Sequence, residues 1–133
     1  MTDPTSVVRT FVDEFQTKGD ESVAERLLAP DFVDHTPFPG FGSTRGDVIQ
    51  LFRVLRGAFP DLRAEVTEQF DNGTTVATRK TFHGTHRSEF MGIPPTGNPV
   101  AIRVVDFVRV EDGLMKEHWN VVDVPGLMAQ LSE

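Results

Sequence analysis

The stretch "MKEHWNVVD", Met115 to Asp123, carries the densest set of groups able to move protons, and it reads as a β-strand. Side chains alternate across a strand, so Met115, Glu117, Trp119, Val121 and Asp123 share one side. Lys116, His118, Asn120 and Val122 share the other. Asp123 follows Trp119 and Val121 on the side that this alternation assigns to the interior. As a partly desolvated carboxyl it would serve as a general acid/base, since full burial can raise a carboxyl pKa by roughly 3–5 units. The plainer alternative is a solvated strand-end carboxylate that caps the helix begun by "VPGLMAQL".

Around that strand the remaining candidates are less sharply placed. Trp119 reads as a core or pocket-wall aromatic. Arg109 and Arg79 are cations on strands, and an inward Arg needs a carboxylate partner or a substrate oxygen; structural pairing is the simpler reading of both. Phe90, Met91 and Ile93 fall in a long loop, where they either close a pocket mouth or pack on a neighbouring helix. His118 is expected on the face opposite Asp123, with Asp106. His83 and His86 flank a Gly-Thr pair and carry no further signal. The four histidines lack the spacing of a metal site, and neither a metal nor a cofactor is expected.

The 133 residues suit one domain, taken as 1–133, with a single core. A net charge of −7 argues against nucleic acid and anionic membrane surfaces as partners. No apolar run approaches the roughly 20 residues that span a bilayer. The N-terminus has no basic segment leading into an apolar one, so the expected location is the cytoplasm. The absence of cysteine excludes disulfides, a thiolate nucleophile and Cys-based zinc. Eleven Phe, one Trp and no Tyr supply apolar walls and remove Tyr as an oxyanion donor. Phe15, Phe32 and Phe59 are the wall candidates besides Phe90.

The elements that must position these groups are helical first and extended later. Asp3-Pro4 opens a helix carrying Val7, Val8, Phe11, Val12 and Phe15, ended by Gly19. Asp20 caps a short second helix that stops near Pro30. "DFVDH" is a brief extended piece leading into the breaker-rich "TPFPGFGS". A third helix runs from about Asp47 to Ala58. Strands near 62–70 and 74–83 are joined by "DNG", and strands near 99–110 and 114–123 by "EDG". This order predicts an α+β fold, an antiparallel sheet with three N-terminal helices packed on one face. "PVAIRVVDFVRV" is apolar at both parities, so its second face needs a cover, and a homodimer is expected.

The register of the last hairpin decides what shares a face with Asp123. A two-residue Asp112-Gly113 turn sets Arg109 opposite Lys116, a like-charge pair. A three-residue "EDG" loop shifts the pairing by one, facing Val105 to Trp119 and Asp106 to His118, with Arg109 diagonal to Glu117. The second pairs opposite charges and is favoured here.

"DFVDHTP" at 31–37, "GTHRSEFMGIPPTG" at 84–97 and "RVEDGLMKEHWNVVDVPGL" at 109–127 resemble the SnoaL-like polyketide cyclases of the nuclear transport factor 2-like superfamily. The resemblance implies a cone-shaped curved sheet with the helices on its concave face, commonly dimeric, and an apolar pocket between them. It also implies a cofactor-independent intramolecular aldol condensation of a polyketide-like substrate. The family's strand-end aspartate matches Asp123, and a pocket histidine matches His35, which would orient substrate or share a proton; its plainer role is a turn residue bonded to backbone near Pro37. Trp119, Arg109, Arg79, Phe15, Phe32, Phe59, Phe90, Met91 and His118 are then the expected substrate-binding set. The alternatives on the same fold are a non-catalytic small-molecule binder, an isomerase, and an epoxide hydrolase needing Asp106, Arg109 and Asp123 around one water.

Overall fold

The computed structural model describes residues 3–132. Helix α1 (Pro4–Thr10) starts with Pro4, whose missing N–H is no loss in a first turn. It runs on as a π-helix over Phe11–Thr17. Val7, Val8, Phe11, Val12 and Phe15 are buried along it, and the Phe15 ring lies 5.0 Å from Phe11 and 5.2 Å from Phe52. Burying one such ring contributes about 1.5–3 kcal/mol. Gly19, at φ 79°, ends the run, and Asp20 caps α2 (Glu21–Leu27) by accepting the Ser22 N–H. Helix α3 (Arg45–Ala58) opens on a reciprocal capping box between Thr44 and Asp47. A last helix, α4 (Val124–Leu131), follows the sheet.

Five strands form one sheet: β1 (Leu28–Asp34), β2 (Arg63–Asp71), β3 (Thr75–Thr85), β4 (Pro99–Glu111) and β5 (Leu114–Val122). Their order is β1-β5-β4-β3-β2. The sheet is mixed rather than purely antiparallel, because the extended piece after α2 is a full strand that pairs parallel with β5. The helices and five strands make the expected α+β fold. No helix among the described residues is long and apolar enough to cross a membrane.

Both registers considered for the last hairpin are corrected. Asp112 and Gly113, at φ 54° and 76°, form a two-residue turn, so Glu111 pairs with Leu114 and Val110 with Met115. A bulge at Lys116 then advances β5 by one residue, setting Arg109 opposite Glu117 and Asp106 opposite Asn120. The like-charge clash is relieved by this extra residue and not by a longer loop. Lys116 leaves the ladder to bond Asp31 at 2.8 Å.

The bulge also inverts the alternation of β5. Met115 and His118 both face the helices, followed by Asn120 and Val122, while Glu117, Trp119 and Val121 turn to the outer face. Trp119 is 36% and Val121 76% exposed, so the side expected to be buried is the outer one. On β4 the even positions from Val100 to Val110 are buried against the helices. Val105 and Phe107 stand on the outer face beside Val121 and Trp119.

Candidate active site

The helices and the inner face of the sheet enclose a cavity of about 100 Å³. Its walls are mostly apolar, with Phe11, Leu51 and Phe52 from the helices, Phe82 from β3, and Phe38 and Phe90 from loops. Five polar side chains also line it: Gln16, Lys80, Asp106, His118 and Asn120.

Strand register gathers four of these. Asp106 sits in the middle of β4 between Thr78 on β3 and Asn120 on β5. Lys80 is one inward position along β3 and His118 one inward position along β5, so both are diagonal neighbours of Asp106. The Lys80 Nζ lies 2.9 Å from Asp106 Oδ2, with each side chain only 3% exposed. Lys80 also donates to Gln16 Oε1 at 2.9 Å and sits 5.3 Å from the Phe82 ring centroid. Gln16 comes from the π-helical stretch. Its oxygen accepts from Lys80, which can only donate, and its side chain lines the cavity.

His118 stands between two carboxylates. Its Nε2 lies 3.6 Å from Asp106 Oδ2 and its Nδ1 3.1 Å from Asp34 Oδ1. Asp34, its direct neighbour on β1, also accepts the Thr36 N–H at 3.0 Å. Burial works against the imidazolium, but the two carboxylates outweigh it and hold His118 above its ordinary pKa. Burial likewise opposes ionisation of Asp106, and the charges of Lys80 and His118 overcome it, holding its carboxyl low. Asp34, His118, Asp106 and Lys80 thus form one row across β1, β5, β4 and β3. One atom in it is unsatisfied: Asp106 Oδ1 is buried and has no hydrogen-bond partner. Asp106 lines the cavity, and Oδ1 is the oxygen of its carboxylate that no protein donor engages.

This architecture has known relatives. The model of the SnoaL-like polyketide cyclase family matches residues 6–131. The chain belongs to the SnoaL-like polyketide cyclase family. It is 28% identical over 134 residues to the aklanonic acid methyl ester cyclase DnrD of Streptomyces peucetius, covering 96% of this chain and 89% of that one. To the nogalonic acid methyl ester cyclase of Streptomyces nogalater it is 25% identical, covering 92% of each. The crystal structure of wild-type IdmH from Streptomyces antibioticus superposes with a TM-score of 0.87 at 33% identity, covering 99% of this chain and 100% of that one.

Within this SnoaL-like frame the expected site residues divide. His118 and Phe90 line the cavity. Asp123 does not: it is the N-cap of α4, accepting the Gly126 N–H at 3.0 Å, and its other oxygen takes Arg103 at 2.5 Å. The Arg103 guanidinium and the Gly126 N–H hold its carboxyl below the usual range. The plainer reading of this residue therefore describes its position, and the inward-facing one is corrected.

His35 is also outside. It follows β1, stacks on Trp119 with ring centroids 4.8 Å apart, and places Nε2 3.0 Å from Glu117 on the outer face. Arg109 pairs there with Glu117 and Glu111. Arg79 lies 3.5 Å from Glu68 and is exposed. Phe15, Phe32 and Phe59 are core residues that do not line the cavity, and Met91 is 46% exposed and does not line it either. Asp106, Arg109 and Asp123 do not converge, because only Asp106 faces inward.

Sequence reasoning passed over Lys80, Gln16 and Asn120, and treated Asp106 as a partner of His118 and as a member of the hydrolase set with Arg109 and Asp123. The signal for two of them was parity. Val76, Thr78, Lys80 and Phe82 alternate on one face of β3, as Val104, Asp106 and Val108 do on β4.

Proposed function

We propose that this chain is a cofactor-independent acid/base enzyme that closes a carbon ring in a neutral, polyketide-like substrate by intramolecular aldol addition. It would do so in the cytoplasm and as a homodimer. The observation that carries the chemistry is that Asp106 lines the apolar cavity and leaves one carboxylate oxygen, Oδ1, without a protein donor.

Asp106 Oδ1 takes a proton from the methylene between two carbonyls, and the electron pair passes into an enolate. Gln16 and Lys80, which line the cavity beside Asp106, would hold the enolate oxygen. The enolate carbon attacks a second carbonyl carbon, a C–C bond forms, and the π pair moves onto that oxygen. The proton on Asp106 passes to this alkoxide, which restores the carboxylate. Such a methylene is already acidic, so excluding water and folding the chain supply most of the acceleration. His118 acts through Asp106, keeping it oriented and ionised.

Support for this reading comes from the family, from relatives that are methyl ester cyclases, and from the pairing of one base with several donors. The dimer is supported by the apolar outer face formed by Val105, Phe107, Trp119 and Val121. The test is deuterium exchange at the methylene of benzoylacetone, followed by NMR in heavy water. The protein should accelerate exchange, and Asp106→Asn should remove the acceleration while calorimetry still detects binding. Acceleration that survives in Asp106→Asn sinks the assignment.

A further inference from the structure

We propose that the bound molecule extends past Phe38 into a second, outer subsite that receives a neutral apolar arm bearing a carbonyl oxygen at its junction with the reacting part. This rests on the acid/base reading only for which end reacts.

Size makes the first argument. A cavity of about 100 Å³ is smaller than the roughly 150 Å³ that holds a benzene ring. It can take a small dicarbonyl fragment and not a fused ring system. A second pocket of about 200 Å³ opens beside it and shares Phe38, Asn120 and Val122 as a common wall. Any larger ligand whose dicarbonyl reaches Asp106 by this route must pass Phe38 and occupy that space.

The wall chemistry says what the arm is. Thr36, Pro37, Pro39 and Val124 complete the outer pocket, and no charged side chain lines it. Two prolines offer rigid apolar faces that lose little freedom on binding. A carboxylate or phosphate here would be desolvated without a counter-charge, whereas an aryl group, alkyl chain, ketone or ester would not.

Asn120 supplies the one directed contact. The Thr36 hydroxyl accepts the Asn120 backbone N–H at 2.7 Å and gives its single hydrogen to Asn120 Oδ1 at 2.9 Å. That bond fixes the amide, so Asn120 Nδ2 is the end left over. It has no partner among the described residues, and it lies where the two pockets meet. A donor held in that way reads a carbonyl oxygen at the joint.

Calorimetry with three probes tests the proposal: benzoylacetone, its 4-phenyl analogue and its 4-carboxyphenyl analogue. Burying the extra ring should tighten binding of the 4-phenyl probe by at least about tenfold over benzoylacetone. The 4-carboxyphenyl probe should lose that gain. Val124→Trp, which fills the outer pocket, should bring the ratio of the two neutral probes to about one. If that variant fails to fold, Pro39→Trp on the loop wall reads the same ratio. Equal binding of the two neutral probes to the unmodified protein, a gain that survives the filling substitution, or equal gain from the charged probe overturns the subsite. Exchange at the methylene is scored separately. Absent exchange with an intact binding gain sinks the acid/base reading alone, and exchange without the gain sinks the subsite alone.

Discussion

His118 Nε2 stands 3.6 Å from Asp106 Oδ2, a diagonal contact across β4 and β5 that exists only because Lys116 bulges out of the ladder. Without that extra residue the inward alternation begun at Met115 would continue through Glu117 and Trp119, and His118 would leave the cavity wall. The bulge thus does two things: it separates Arg109 from Lys116, and it brings the His118 imidazole to Asp106. Bulges near reactive centres commonly re-aim a side chain in this way.

The raised pKa of His118 has a signed consequence for stability. A group whose pKa is higher in the folded state stabilises fully below its unfolded value, here 6.5. That contribution is lost as pH rises through the folded value. Urea unfolding across mildly acidic to alkaline pH should show the native protein losing its advantage over His118→Gln on the alkaline side. A constant difference between them across that range would refute the coupling. Asp106 has the opposite sign: its depressed pKa keeps the base ionised down to below 3.8, so the exchange rate should show no acid limb near neutrality.

Lys80 and Asp106 are each 3% exposed, so neither can turn to water when the other is removed. Lys80→Met should cost about 3–5 kcal/mol of unfolding free energy, because it strands a buried carboxylate. The double substitution Lys80→Met with Asp106→Leu should recover most of that loss and have no exchange activity. Denaturant midpoints of the two variants check this, and a double variant as unstable as the single one would contradict it.

The helices were legible because local signals agree there: Asp3-Pro4, the Asp20 cap and Gly19 all mark observed boundaries. The two hairpins were legible from their turn residues. The pairing of β1 was not, because seven residues that join a distant strand in parallel carry no turn signal. The inward set around Asp106 was half legible. Lys80 and Asp106 show up as charges at buried parity on two apolar strands, but Gln16 sits in a π-helical stretch whose register the 3.6-residue period does not describe. Asp123 was misplaced for one reason: the parity count ran through Met115 to Trp119 without a break, and one extra residue there reverses every later side chain.

That reversal puts Asp123 at the N-cap of α4 and off the cavity lining, so it should behave measurably differently from Asp106. Asp123→Asn keeps an oxygen for the Gly126 N–H, and Asn is as good an N-cap as Asp. It loses the ion pair with exposed Arg103, a small contribution. Exchange activity and melting temperature should stay close to those of the unmodified protein. Asp123→Ala removes the cap and should lower the melting temperature with little effect on the exchange rate. Loss of exchange in a fully folded Asp123→Asn would return that carboxylate to the chemistry.

The outer face carries the last expectation. Phe107 is directly opposite Trp119, and Val105 opposite Val121, so four apolar side chains form one block across β4 and β5. His35 extends it by stacking on Trp119, and Arg109 with Glu117 borders it. A stable dimer buries about 1,200–2,000 Å² in total, with an apolar centre and a polar rim, and this block would supply an apolar centre bordered by charge. Phe107→Glu puts a carboxylate at that centre, where pairing would desolvate it against Trp119 and the matching surface of the second copy. Light scattering should find a dimer for the unmodified chain and a monomer for Phe107→Glu. The inner face is untouched by the change, so the buried row from Asp34 to Lys80 and the exchange activity it supports should persist in the monomer. A monomeric unmodified chain, or a Phe107→Glu variant that still dimerises, would show that this face is covered by something else or by nothing.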